Sequence, residues 1–274
     1  MGDAQPLPLV AKVSRAGDGL SNQLFAVINS VFVAQRGCHS TIAVGALRTD
    51  FGPTGSAIPA GAVIDLPHLN SFLGPAYGIT MQDAVTEDGA QHTFGWIDAV
   101  DALAFRTILT HIRFRADPAT PPSEAPCNVM HLRMEPDALQ HWGCVNHMTP
   151  VDFEAVLAAK YIGLVDKYLD VSVPVLVVTD VDVGCNPVMQ HMRDAGYTVR
   201  TVGGKEDESG RELRAVQDCV AAIACRGDTL VGAFNLANLN GSTFSYVLWQ
   251  LGACARAVML DPDHIGTPEQ VTER

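Results

Sequence analysis

The sequence is short of positive charge, of long apolar runs and of the marks of a secreted chain. It has 18 Lys and Arg against 30 Asp and Glu, a formal net charge of −12. Domains that bind nucleic acid through its phosphates are normally basic, so we expect no nucleic-acid partner. No apolar run reaches the roughly 20 residues of a membrane span, and the N-terminus lacks the basic and apolar regions of a signal peptide. We therefore expect no membrane span and a cytoplasmic location, with the Golgi or endoplasmic reticulum lumen as the alternative if an anchor was trimmed.

Cysteine pairs, metal ligands and nucleotide fingerprints are also missing in their usual forms. The seven cysteines include no Cys-x-x-Cys, which is typical of small buried thiols in a reducing compartment. A bridge such as Cys127–Cys144 stays open for a secreted protein. His141 and His147 lack a third ligand at metal-site spacing, so we predict no metal and no cofactor. A dinucleotide fingerprint in the first Gly-rich turn would need glycine in place of Asn22, and there is no P-loop.

The first part of the chain has strands and helices in alternation. Apolar runs and helical spacing predict strands at 7–13, 41–44 and 62–66, and helices from Leu20 and at 98–112. Four prolines between Asp117 and Pro126 then exclude a continuing helix or central strand, so we predict a linker there.

After this linker the alternation becomes regular. Strands are predicted at 128–132, 173–178, 197–202, 229–233 and 257–260, helices at 150–168, 187–195, 209–225 and 242–254, and a polar tail at 261–274. Such alternation indicates the α/β class with a doubly wound, mostly parallel sheet. We therefore predict a GT-B arrangement of two Rossmann-like halves, residues 1–117 and 127–274, that face each other across a cleft.

The most informative stretch is the end of the strand that starts at Asn128. His131 and Arg133 alternate along it and so share a face, and Glu135 and Asp137 follow in the loop. The planar guanidinium of an arginine suits phosphate oxygens and stays charged at any working pH. The alternative left open is an arginine–carboxylate pair that only closes the loop.

Polar residues also follow other predicted strands, at the edge where ligands of open α/β sheets bind. The first Gly-rich turn brings Asp18, Ser21, Asn22 and Gln23 to that edge, unless it is a capped turn without a ligand. Thr179 and Asp180 end a second strand. Ser242 or Thr243 begins a late helix, where backbone N–H groups and hydroxyls can hold an anion or can simply cap the helix.

Taken together, these stretches resemble the fucosyltransferase superfamily, which includes the protein O-fucosyltransferases, the plant O-fucosyltransferase-like proteins and the α-1,2-fucosyltransferases. Gly17-Asp-Gly-Leu-Ser-Asn-Gln-Leu-Phe25 is similar to their N-terminal Gly-Gly-Leu-Gly-Asn-Gln-Leu-Phe motif. His131-Leu-Arg-Met-Glu-Pro-Asp137 resembles the plant-type His-Leu-Arg-Phe-Glu-x-Asp motif, which is the most specific of the matches. Thr179-Asp180 and Gly241-Ser-Thr-Phe-Ser245 resemble later motifs, in the family's order.

The resemblance implies a metal-independent, inverting glycosyltransferase that moves a sugar, most often L-fucose from GDP-fucose, to a hydroxyl of a glycan or protein acceptor. It assigns the first half to the acceptor and the second to the nucleotide-sugar donor. Arg133 would hold the β-phosphate, and Glu135 and Asp137 would shape the pocket. The implied donor contacts are the following: Gly19, Asn22, His131, Asp180, Ser242, Thr243, Phe244 and Ser245.

The sequence departs from the family pattern at Asp18, which replaces the first glycine of the usual pair. Some protein O-fucosyltransferases have a glutamate there that is proposed as the general base, so Asp18 is our candidate base, with Glu135 as the other. Related plant-type enzymes use UDP-sugars, which keeps UDP-rhamnose and UDP-xylose open as donors. A non-catalytic protein that binds a nucleotide-sugar is the alternative from another functional class.

Overall fold

The structure is a computed structural model that describes residues 8–15, 19–49, 56–93, 95–97, 102–115, 126–202 and 210–274. The chain divides into two compact units. Unit 1 contains Met1–Asp117 and Lys205–Gln217, and unit 2 contains Pro118–Gly204 and Asp218–Arg274. The domain bounds expected from the sequence did not include the return of Lys205–Gln217 to unit 1. The predicted linker falls outside the described residues except at its last position, Pro126.

Unit 1 is built on a parallel sheet. Its elements are β1 (Leu9–Lys12), α1 (Leu20–Arg36), β2 (Thr41–Val44), β3 (Leu47–Arg48), β4 (Ala57–Ile58), α2 (Ala60–Val63), α3 (Leu66–Tyr77), β5 (Thr80–Asp83), β6 (Gln91–His92) and α4 (Ala102–Leu109). Four of these strands pair in parallel in the order β5-β2-β1-β6. From β1 the chain moves outward through β2 to β5, and it then returns to pair with the other edge of β1 at β6.

Two predicted elements of unit 1 differ from the structure. The strand predicted at 62–66 is wrong, because α2 occupies Ala60–Val63 and α3 starts at Leu66. The sequence did contain the signal for this start, since Asp65 caps α3 by accepting a hydrogen bond from the His68 N–H. The helix predicted at 98–112 is described only as α4, which ends at Leu109.

Unit 2 has the strand order of a Rossmann sheet. Its elements are β7 (Asn128–His131), α5 (Pro136–Val145), α6 (Pro150–Tyr168), β8 (Val175–Val178), α7 (Pro187–Asp194), β9 (Val199–Thr201), the second half of α8 (Arg211–Ala224), β10 (Thr229–Asn235), β11 (Asn240–Gly241), α9 (Thr243–Leu251), β12 (Arg256–Leu260) and β13 (Gln270–Glu273). The sheet order is β13-β12-β10-β7-β8-β9, with β11 beside β10. Counted from β7, this is the 3-2-1-4-5-6 order of dinucleotide-binding domains.

The core of unit 2 lies between this sheet and α6. Phe153, Leu157 and Tyr161 of α6 are fully buried and pack with apolar residues of β7, β8, β10 and β12. The central strands are buried along their whole length, as expected for a parallel sheet that is covered on both faces. Although α6 is the longest helix described, no helix in the described ranges is long and apolar enough to cross a membrane.

The C-terminal segment is a strand and not the predicted polar tail. Gln270–Glu273 pairs antiparallel with β12, in a register that joins Met259 to Gln270 and Arg256 to Glu273. The prediction failed because an edge strand needs only backbone partners and can keep polar side chains. The side chains of β13 are indeed partly or fully exposed in alternation.

The cysteine prediction is also corrected. Cys127, just before β7, forms a disulfide with Cys225, just after α8, across 98 residues of sequence. Cys144, the partner considered from the sequence, is a free and exposed thiol. Sequence spacing could not find the pair, because the two half-cystines are brought together only by the sheet and the helix that follows β9.

Candidate functional site

The order of the strands in unit 2 defines where a ligand is expected. From β7 the chain proceeds outward through β8 and β9, and then returns to the other side of β7 at β10. In open α/β sheets, ligands bind outside the carboxyl ends of the strands at this point of reversal. Two segments meet there. One runs from His131, the last residue of β7, to Asp137, and the other is the turn from β11 into α9.

These two segments are joined by a buried hydrogen bond. His131 Nδ1 lies 2.6 Å from Ser245 Oγ, and both residues are buried. The same hydroxyl accepts a hydrogen bond from the Ala233 N–H of β10 at 3.0 Å. The ring of Phe244 packs edge-on against the His131 ring, with their centroids 5.2 Å apart. The predicted residues His131, Phe244 and Ser245 therefore lie together at the point of reversal.

Two glycines allow this close approach of α9 to the sheet. A Cβ on Gly232 would lie 2.9 Å from Ser245 Oγ and 3.0 Å from its Cβ. Gly241 has a φ of +111°, and a Cβ there would lie 2.9 Å from the Phe234 Cα. Both positions thus need glycine for space, and Gly241 also needs it for its backbone conformation.

Arg133 is held by two carboxylates. Its Nη1 lies 2.9 Å from Glu135 Oε2, and its Nη2 lies 2.6 Å from Asp137 Oδ2. Burial by itself lowers the pKa of Arg133, but the charges of Glu135 and Asp137 outweigh it and raise the pKa above its usual value. The guanidinium therefore stays charged although only 19% of the side chain is exposed.

The two carboxylates hold Arg133 with different strength. Glu135 is buried, and its Oε1 also accepts a hydrogen bond from the Asp180 N–H at 3.3 Å. The side chain of Asp137 is 57% exposed, and an exposed ion pair of this kind contributes about 0–1 kcal/mol. An incoming anion can therefore displace Asp137 at little cost, whereas Glu135 fixes the arginine.

The backbone of the loop after β7 is also held by side chains that the sequence analysis did not select. The Tyr161 hydroxyl donates to the His131 carbonyl at 3.0 Å and accepts from the Arg133 N–H at 3.3 Å. Burial raises the pKa of Tyr161, so the hydroxyl stays protonated. Thr179 Oγ1 donates to the Leu132 carbonyl at 2.7 Å. A buried tyrosine on a helix usually finds a polar partner, but the sequence could not say which one.

Removing the Tyr161 hydroxyl should destabilise this loop. We expect Tyr161→Phe to lower the free energy of unfolding by about 1–3 kcal/mol, because the His131 carbonyl and the Arg133 N–H both lose a partner. Tyr168→Phe is the matched control on the same helix, and it should cost less, since among the described residues its hydroxyl bonds only Glu269, in a half-exposed position. Urea unfolding curves measure both, and an equal loss in the two variants would contradict this role of Tyr161.

The start of α9 has the features of an anion site. Ser242 is at the N-cap position, but within the described residues its hydroxyl makes no capping hydrogen bond, so it does not act as the predicted cap. The N–H groups of a first helical turn have no partner within the helix, and the helix dipole favours negative charge there. Thr243, Phe244 and Ser245 form this turn, which starts two residues after Gly241.

In unit 1 the predicted residues divide into two groups. Gly19 precedes α1 in extended conformation, and Asn22 lies in the first turn of α1. Asn22 lies next to the segment after β6, where a Cβ on Gly95 would lie 2.6 Å from the Asn22 carbonyl oxygen. These two residues are thus at the point where the sheet of unit 1 reverses, between β1 and β6.

One polar residue of the Gly-rich turn does not follow this prediction. Gln23 is fully buried and exchanges two hydrogen bonds with the backbone of Arg48, so it supports the fold of unit 1. Ser21 is also buried, and its place in the site stays a prediction. Asp18, the candidate base, lies outside the described residues.

A carboxylate that sequence analysis missed lies at the start of α1. Glu212 is buried, and its Oε2 accepts a hydrogen bond from the Leu20 N–H. Its own N–H donates to the Thr49 carbonyl. The acid stabilises the positive end of the α1 dipole from a position 192 residues away in sequence, a distance that no local pattern can bridge.

Within the described ranges, no group of three or more His, Cys, Asp or Glu side chains is placed to hold a metal ion. The atoms that converge at the β7 and β10 ends are mainly hydrogen-bond donors: a guanidinium, an imidazole and the first turn of a helix. Such a set is suited to an anionic ligand.

The comparisons with known proteins find the fold but no sequence relative. No protein-family model matches the chain, and no curated protein matches it in sequence. The structure is similar to that of POFUT1, a protein O-fucosyltransferase, in complex with GDP-fucose. The TM-score is 0.56 at 11% identity, over 92% of this chain and 96% of that chain. A second crystal form with GDP-fucose gives 0.57 at 10% identity, over 89% and 95%.

A third POFUT1 structure, in complex with GDP, gives a TM-score of 0.56 at 10% identity and covers 89% of this chain and 94% of that chain. At this level of identity the likeness concerns the fold. The α/β class and the GT-B fold predicted from the sequence are therefore confirmed: the chain has the fold of protein O-fucosyltransferase structures.

Proposed function

We propose that the chain is a glycosyltransferase that takes a nucleotide-sugar donor, GDP-fucose in the first instance, and transfers the sugar to a hydroxyl of a glycan or protein. The observation that carries this proposal is the convergence of Arg133, His131 and the uncapped start of α9 at the β7 and β10 ends. The fold likeness to GDP-fucose complexes supports the choice of donor.

The chemistry of such a transfer explains why hydrogen-bond donors are needed at the site. The acceptor hydroxyl attacks the anomeric carbon, the bond to the diphosphate breaks, and negative charge develops on the leaving group. Of the five N–H donors of an arginine, Arg133 directs one at Asp137 within the described residues, and its contact with Glu135 is an ion pair. The remaining donors, together with the first turn of α9, can stabilise the departing diphosphate as preorganised charge.

The acceptor proton needs a base. Glu135 is poorly suited, because its two oxygens already contact Arg133 and the Asp180 N–H. We therefore propose Asp18 as the base and Glu135 as the residue that positions Arg133. A direct displacement of this kind inverts the anomeric configuration, and we propose that it needs no metal because the donors above carry out charge stabilisation.

A nucleotide screen by thermal shift tests the donor class. We expect GDP to raise the melting temperature and UDP, ADP and NAD to leave it unchanged. A ligand at 100 times its Kd adds about 2.7 kcal/mol of stability, and each kcal/mol is worth roughly 2–4 °C in a chain of this size. A shift with UDP alone would favour UDP-rhamnose or UDP-xylose as donor, and no shift with any nucleotide would contradict the proposal.

Turnover separates an enzyme from a binding protein. Incubation with GDP-fucose should release GDP, by transfer to an acceptor or by slow hydrolysis, and EDTA should not reduce the rate. The anomeric configuration of the product, read by NMR, tests inversion. A protein that binds GDP firmly but never releases it from GDP-fucose would instead be a non-catalytic nucleotide-sugar-binding protein.

The cellular location is also a proposal. The Cys127–Cys225 bridge favours the alternative named from the sequence, the Golgi or endoplasmic reticulum lumen, because disulfides persist in oxidising compartments and are rare in the cytosol.

A further inference from the structure

We propose that Ser245 is a positioning residue that holds His131 in one tautomer, with the proton on Nε2, so that the imidazole serves the site as a hydrogen-bond donor and not as a general base. The proposal deepens the proposed function, but its first step concerns only the protein and can be tested without substrate.

The hydrogen-bond capacity of the Ser245 hydroxyl limits the partners it can have. A serine hydroxyl has one proton to donate and two lone pairs that accept. Ser245 is fully buried, so the proton must find a protein acceptor. Within the described residues the hydroxyl oxygen has two contacts, the Ala233 N–H at 3.0 Å and His131 Nδ1 at 2.6 Å.

The contact with the Ala233 N–H determines the direction of the hydrogen bond to His131. The Ala233 N–H can only donate, so it occupies a lone pair of the hydroxyl oxygen. The hydroxyl proton then has one acceptor left among these contacts, the Nδ1 of His131. An Nδ1 that accepts carries no proton, and in a neutral imidazole the proton is then on Nε2. If Nδ1 donated instead, the buried hydroxyl proton would have no partner, at a cost of a lost hydrogen bond.

The neighbours of Ser245 keep this arrangement in place. Gly232 leaves no space on the β10 side, since even a Cβ there would lie 2.9 Å from Ser245 Oγ. The Phe244 ring packs against the imidazole in a T-shaped arrangement. Ring orientation and tautomer are therefore both set by α9, the helix whose first turn is the proposed anion site. In the proposed transfer, Nε2–H would add one directed donor for the diphosphate or the sugar.

The tautomer can be read directly by ¹⁵N NMR of the full chain labelled at histidine. In the wild type we expect His131 to show an unprotonated Nδ1 and a protonated Nε2. In Ser245→Ala, which removes the proton donor, the population should move toward a protonated Nδ1. Ser30→Ala is the matched control, because Ser30 is also fully buried but its hydroxyl donates to the Val27 carbonyl of its own helix. It should leave the His131 signals unchanged.

Two results would overturn the proposal: a protonated Nδ1 in the wild type, or the same tautomer in Ser245→Ala as in the wild type. The wild-type spectrum alone decides the first, even if the alanine variant does not fold. These readouts need no turnover, so they can succeed while the proposed enzymatic activity fails, and the two failures remain distinct.

The role in the site is tested by two substitutions of His131. Glutamine places an amide N–H near the position of Nε2, and asparagine places its amide near Nδ1. We expect His131→Gln to retain more GDP affinity and turnover than His131→Asn, by roughly two- to tenfold, the factor that one hydrogen bond contributes. The reverse order would show that Nδ1, and not Nε2, faces the ligand.

Discussion

Replacing Arg133 by alanine should lower sugar transfer by roughly 10²–10³-fold, the usual effect of removing one preorganised donor from a developing negative charge. The expectation follows from the position of Arg133 after β7, its fixed charge and its partly satisfied guanidinium. Initial rates of GDP release from GDP-fucose, with an excess of acceptor, measure the loss.

Loss of folding has to be separated from loss of chemistry in this experiment. The alanine variant leaves Glu135 buried without its partner, and breaking a buried ion pair costs about 3–5 kcal/mol. The double variant Arg133→Met/Glu135→Gln removes both charges and should keep most of the stability. It should still be inactive, because methionine offers no donor to the diphosphate.

Two further variants complete the comparison. Arg133→Lys keeps the charge but loses the planar set of donors, so we expect an intermediate rate. Arg193→Ala removes an exposed arginine of α7 that donates to the Val183 carbonyl oxygen, and this variant should have full activity. A stable double variant with wild-type turnover would exclude Arg133 from catalysis.

The disulfide should be the largest single contribution to stability that can be removed without touching the site. The Cys127–Cys225 bridge closes a loop across 98 residues of sequence. In the chain-entropy model, a loop of that length is worth roughly 4–5 kcal/mol, and measured values are often lower. We expect Cys127→Ala/Cys225→Ala to lose roughly 2–4 kcal/mol in urea unfolding.

The free thiols provide the control. Cys38 is exposed and unbridged, so Cys38→Ser should unfold like the wild type. Thiol titration of the unfolded, unreduced wild type should find the five free cysteines Cys38, Cys144, Cys185, Cys219 and Cys254. A count of seven free thiols in a protein purified from an oxidising compartment would contradict the bridge.

Sequence reasoning was most successful where local pattern and fold agree. In unit 2 the central buried strands and most of the helices between them were predicted with ends shifted by a few residues, because apolar periodicity is a local signal. The exception is α5 (Pro136–Val145), which the sequence analysis did not predict. The strand end at His131 to Asp137 was predicted as a site for a related reason: four polar residues lie at the end of an apolar strand of a parallel sheet, where ligands of such sheets are expected.

The failures concern contacts between residues distant in sequence. Tyr161, Glu212 and the pairing of Cys127 with Cys225 depend on which helix returns to which strand, and spacing alone does not contain that information. The prediction of a polar tail was wrong because β13 pairs with β12 through backbone hydrogen bonds, which need no apolar side chains. The prediction that Gln23 lies at the sheet edge was wrong, because a polar side chain in a Gly-rich turn can bond inward as readily as outward to a ligand. Gln23 bonds inward, to the backbone of Arg48.

A crystal structure of the chain with GDP bound would test the proposed donor site most directly. We expect the diphosphate at the carboxyl ends of β7 and β10, with the β-phosphate bonded to the Arg133 guanidinium and to the first turn of α9, and with Asp137 displaced from the arginine. A diphosphate bound elsewhere, with Arg133 still paired to both Glu135 and Asp137, would contradict it.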